Sequence, residues 1–113
     1  MFKRGKIVLI PFPFSDLSGV KVRPAVIVSD DLSGSDIIVV FISSIITKIN
    51  KKTDIKILAS QNSFKGTGLK TSSVIKVSKI ATLDKKIILG EIGEIDKSIE
   101  KEINKKLKIL FKL

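Results

Sequence analysis

The chain has 113 residues, enough for one domain with a single core and too few for two. It contains neither cysteine nor histidine, which excludes disulfides, thiolate chemistry, a Ser-His-Asp triad and a His- or Cys-ligated metal site. A hydrophobic share of 43% is that of an ordinary globular protein, while a net charge of +10 points to an acidic partner, of which nucleic acid is the commonest.

Lys6 to Ile10 is a short β-branched run closed by Pro11 and Pro13, and predicts the first strand. The loop from Pro11 to Gly19 follows, with Ser-Asp and Ser-Gly as turn signals. Its Phe12 and Phe14 are two of only six aromatic residues in a chain without Tyr or Trp. They have two readings: platforms on which bases stack, or side chains folded back over the core.

Val22 to Ser29 predicts the second strand. Val26, Ile27 and Val28 are apolar and β-branched at consecutive positions, which suits a strand covered on both faces. Pro24 has no N–H for a ladder and belongs at a first strand position or an edge, and it pushes Arg23 towards extended geometry. Of the 21 Lys and Arg residues only Arg4 and Arg23 are arginine. A planar bidentate donor beside a core strand suits a phosphate or carboxylate; the alternative is a structural arginine bonding nearby carbonyls.

Asp30, Asp31 and Asp36 lie in a polar turn, read as a solvated loop rather than a metal site for want of further ligands. Ile37 to Ile42 is apolar throughout and predicts the most buried strand, ending in the hydroxyls of Ser43, Ser44 and Thr47. A basic turn from Lys48 to Asp54 leads to an alternating strand, Ile55 to Leu58. The Gln61 to Thr71 loop holds Gly66 and Gly68 but lacks the lysine-hydroxyl pair of a phosphate-binding loop. Ser73 to Ala81 predicts a further strand, with Lys76 and Lys79 as surface contacts, and Ile87 to Ile95 is punctuated by Gly90 and Gly93.

The period then changes. From Asp96, an N-cap, apolar residues at Ile99, Ile103, Leu107, Leu110 and Phe111 fall on one helical face, with Glu100 and Glu102 early and lysines late. A helix from about Asp96 to Leu110 is expected to pack on the sheet through Ile99, Ile103, Leu107 and Phe111. The longest uncharged run, Ile37 to Thr47, is too short to cross ~30 Å of hydrocarbon as a helix. With no secretion signal read at the start, a cytoplasmic protein is expected.

In this order the segments Lys3 to Leu9, Val22 to Ser29, Ile42-Ser43-Ser44, Gly68 to Val74, Ile80 to Lys85 and the helix from Asp96 make the sequence resemble the PemK/MazF toxin family. Each motif is weak alone; their order and spacing are more specific. The resemblance implies a mainly β (α+β) fold, a small SH3-like β-barrel with a C-terminal amphipathic helix, filling residues 1–113 as a single domain and pairing as a homodimer. It further implies cleavage of single-stranded RNA, without metal or cofactor, by 2′-hydroxyl attack on the adjacent phosphate. The products are a 2′,3′-cyclic phosphate and a 5′-hydroxyl, and a cognate antitoxin neutralises the activity.

By the resemblance Arg23 takes the catalytic arginine position. Ser43 takes that of a catalytic hydroxyl, where the family usually has threonine. Phe14, Ser18, Lys21, Ser44, Thr47 and Lys79 are the expected RNA-binding residues. Ala81 stands in a segment where many members carry an additional arginine. The second reading is a non-catalytic basic barrel that binds nucleic acid or the antitoxin.

Overall fold

A computed structural model describes residues 2–12, 21–30 and 34–113. Among the described residues six strands form one antiparallel sheet: β1 (Lys6–Phe12), β2 (Lys21–Ile27), β3 (Asp36–Ser43), β4 (Asp54–Ile57), β5 (Ser73–Asp84) and β6 (Gly90–Glu94), followed by the helix α1 (Lys97–Phe111). The strand order β4-β5-β3-β2-β1-β6 curls into a half-barrel. This is the mainly β fold with a C-terminal helix expected from the sequence.

Both faces of the central strands are covered, as the unbroken β-branched runs require. On one face Ile7, Val26, Val40, Ile42, Ile75 and Val77 pack with Ile99 and Ile103 of α1. On the other, Val8, Ile10, Ala25, Ile27, Ile37 and Val39 form a second cluster, flanked by Phe2, Phe41, Ala81, Leu83 and Ile88. Adjacent residues such as Val26 and Ile27 thus serve different clusters, the alternation of a pleated strand.

Several strand boundaries differ from those predicted, and β6 is shorter than the expected Ile87 to Ile95. β1 runs through Pro11 to Phe12, with Pro11 opposite Val22, so the proline does not close the strand. β5 extends to Asp84, and its ladder with β3 jumps from Val40↔Ile80 to Phe41↔Lys76, leaving Val77, Ser78 and Lys79 outside it. Such an irregularity bends the strand and increases its twist. Pro24 lies inside β2, opposite Leu9, but the β2–β3 ladder begins only at Ala25. The segment of β2 that holds Pro24 therefore has one open edge, where a residue without an N–H is tolerated.

α1 starts as predicted. Asp96 accepts from the backbone N–H of Ile99 at 2.9 Å, and the helix ends with Lys112 in the left-handed conformation. Phe111, expected to pack, is 55% exposed. Burial declines along the helix from Ile99 and Ile103 through half-buried Leu107, so the last turn passes beyond the sheet. Arg4 donates to the Asn104 side chain and ties the first residues to α1.

Of the two glycines in the Gln61 to Thr71 loop, Gly68 serves close packing. Gly66 O accepts from Glu94 N at 2.8 Å, and a Cβ on Gly68, which has φ +73°, would stand 2.0 Å from Ile92 O. Only glycine allows the loop to lie so near β6 in that backbone conformation. Among the described residues no helix is long and apolar enough to cross a membrane.

Candidate active site

Carried two residues past its last paired position, Ala25↔Phe41, the β2–β3 register brings Arg23 level with Ser43. There the strands no longer form a ladder, and Pro24, with no N–H to donate, stands at the point of parting. The result is a hollow of about 530 Å³ walled by Arg23, Phe41, Ser43, Lys76, Lys79 and Ala81. Arg23 also borders a neighbouring hollow of about 430 Å³, whose walls include Ser44, Lys70 and Thr71. Arg23 thus lines both spaces, and its Nε is buried.

By strand alternation Arg23, Phe41, Ser43 and Lys76 share the face opposite the α1-packed one, since their neighbours Val26, Val40, Ile42 and Ile75 pack with the helix. The helix packs on the other side of the sheet, away from the hollow. Lys79 arrives by a different route: it is one of the three β5 residues omitted from the ladder, and the bend carries it to the rim of the same hollow. The Ser43 hydroxyl oxygen accepts from Ile45 N at 3.1 Å, which holds its side chain as the chain leaves β3.

The predicted residues do not all converge. Arg23, Ser43 and Lys79 wall one hollow, and Ser44 walls the other together with Arg23. Lys21 and Thr47 are exposed and wall neither. Phe14 and Ser18 lie outside the described residues, as does Asp31. Asp30 and Asp36 are exposed, in keeping with a solvated turn, and no group of three or more carboxylates gathers among the described residues.

Two participants were missed. Lys76, expected as a surface contact, keeps only 25% of its side chain exposed, and its amine lies 2.9 Å from Asp54 Oδ2. Asp54, read as part of a basic turn, is buried at the start of β4 and also accepts from Asn50 N at 2.8 Å. Spacing along the chain carries no sign of this pair, because its partners meet only through the β4–β5 register.

Comparison with known proteins agrees with the fold. The model of the PemK-like, MazF-like toxins of type II toxin-antitoxin systems matches residues 3–111. This chain belongs to that family. No curated protein matches it in sequence. Among solved structures it is similar to a mycobacterial endoribonuclease in complex with its cognate antitoxin, at 21% identity and a TM-score of 0.73, covering 98% of this chain and 95% of that one. The Mycobacterium tuberculosis toxin MazF-mt6 shares 19% identity at a TM-score of 0.73, covering 96% and 97% of the two chains. MazF in the MazE-MazF complex from Deinococcus radiodurans shares 16% at 0.77, covering 98% and 96%. At these identities the solved structures establish a shared fold.

Proposed function

We propose that this MazF-like toxin is a sequence-specific endoribonuclease of the mRNA-interferase type that cuts single-stranded RNA without a metal ion. The observation that carries the reading is the meeting of Arg23 and Ser43 at one hollow beside two lysines, Lys76 and Lys79. A neighbouring 2′-hydroxyl supplies the nucleophile, so no activated side-chain nucleophile is needed. The 2′-oxygen bonds to phosphorus and the P–O5′ bond breaks, while a proton leaves the 2′-oxygen and one reaches the 5′-oxygen. The products are a 2′,3′-cyclic phosphate and a 5′-hydroxyl.

The enzyme's contribution is then in-line positioning and stabilisation of charge on the phosphoryl oxygens. Arg23, with its planar fork of donors, is suited to two of those oxygens at once. Ser43 adds a hydroxyl donor. Phe14, Ser18, Lys21, Ser44, Thr47 and Lys79 are the residues proposed to bind the RNA.

The mycobacterial endoribonuclease and the Deinococcus MazF were each solved with an antitoxin, which supports a cognate antitoxin as the inhibitor of this chain. The toxin acts in the cytoplasm as a homodimer, because one small half-barrel is too short to enclose a long RNA groove by itself. Incubation of the purified protein with a long RNA in excess EDTA tests the reading. Discrete fragments with cyclic-phosphate and 5′-hydroxyl ends are expected. Intact RNA that is nevertheless bound would replace the enzyme by a non-catalytic binding module.

A further inference from the structure

Lys76 differs from the other lysines around the candidate site. Its amine is held at 2.9 Å by Asp54 Oδ2 and at 3.1 Å by the carbonyl of Lys48, so two of its three donors are directed into the protein. Asp54 is in turn fixed by Asn50 N, and its side chain is only 3% exposed. The register Phe41↔Lys76↔Asp54 places the pair in a row across three strands, and Lys76 stands in the wall of the Arg23–Ser43 hollow. A lysine used only for electrostatic attraction needs no such clamp, and a buried carboxylate cancels much of its charge. What the clamp fixes is the position of an otherwise flexible amine, with one of its three N–H donors outside these two bonds.

We propose that Lys76 is a directional hydrogen-bond donor to a phosphoryl oxygen of single-stranded RNA bound in this hollow, and that Asp54 is the residue that positions it. The inference rests on the RNA-cleaving reading for its ligand but not on the cleavage step. It also separates Lys76 from Lys79, which is exposed at the rim and attracts phosphate through its full charge.

The test measures binding of a mixed-sequence single-stranded 2′-fluoro oligonucleotide, which has phosphates but no 2′-hydroxyl nucleophile, across a range of salt concentrations. Lys76→Met alone strands a buried carboxylate and endangers folding. The main variant is therefore the double change Asp54→Asn with Lys76→Met, checked for native circular dichroism. It is expected to bind about tenfold more weakly or worse, the loss of one hydrogen bond to a charged group, with an unchanged salt slope because a neutral pair has been removed. Asp54→Asn alone releases the lysine charge, so the slope of log affinity against log salt should steepen by about 0.7. Lys79→Gln should flatten it by about the same amount and shows that the assay resolves a single charge.

A folded double variant that binds as tightly as the parent overturns the proposal, as does Asp54→Asn with an unchanged slope; either result makes the pair a purely structural tie. If the parent binds the probe but does not cut natural RNA, the nuclease reading fails while the Lys76 assignment stands on its variants. If the parent does not bind the probe at all, the Lys76 assignment fails, while cleavage of natural RNA still decides the nuclease reading.

Discussion

At Arg23 the side chain's chemistry and the backbone's constraint coincide. Pro24 holds it extended and marks the end of the β2–β3 ladder, and the hollow at that point is lined by Arg23 and Ser43. If this pair carries the chemical step, Arg23→Lys should keep fold and RNA affinity but slow cleavage, because an ammonium cannot hold two phosphoryl oxygens in a planar fork. Arg23→Ala should cost at least ~10²–10³ in single-turnover rate, the usual loss for one preorganised donor. Ser43→Ala should cost less, and Ser43→Thr should be tolerated. An unchanged melting temperature separates lost chemistry from lost folding, and a folded Arg23→Ala protein that cuts at the parental rate would remove Arg23 from the mechanism. Arg23 and Ser43 stand out in the sequence because each borders an apolar β-branched run. Asp54 does not, because a lone carboxylate in a lysine-rich stretch reads as solvated until the neighbouring strand supplies Lys76.

Among the elements, α1 was the most legible, since capping and periodicity are local properties. Its N-cap also responds to pH. Hydrogen bonds from the Ser63 hydroxyl and the Ile99 backbone hold the Asp96 carboxyl below its ordinary value of 3.8. A lowered folded value means that the ionised cap adds stability fully above about 3.8 and loses it as pH falls through the folded value. Asp96→Ala should therefore lower stability at neutral pH by about 1 kcal/mol, the typical worth of an N-cap. In urea titrations the gap between parent and variant should narrow below pH 3.8. A gap independent of pH would mean that the charged cap contributes nothing. The end of the same helix misled, because Phe111 continues the apolar stripe where no strand remains beneath it. β5 misled differently: its residues read as one strand, but the omission of Val77, Ser78 and Lys79 from the ladder is a property of the pairing with β3.

For the whole molecule the relevant quantity is charge. Lys21, Lys48, Lys51, Lys52 and Lys79 are all exposed on a chain of net charge +10, so binding to RNA should release counterions and weaken steeply with salt. Converting Lys48, Lys51 and Lys52 together to Gln should reduce the salt slope by about 0.7 for each phosphate they neutralise in the parent, without changing the melting temperature by more than a few degrees. Affinity that stays flat between low and moderate salt would assign these lysines to solubility alone.

The sequence by itself determined the class of structure, the helix start, the strands covered on both faces, and the exclusion of histidine and cysteine chemistry. Those follow from composition, from side-chain period and from capping, which act over a few residues. Only the tertiary structure decided where the hollow opens, that Lys79 reaches it through a bend in β5, and that Lys76 is locked by a buried aspartate. Each of these depends on cross-strand register. A strand's own residues specify which face it buries, whereas its partner's alignment specifies which polar groups meet on that face.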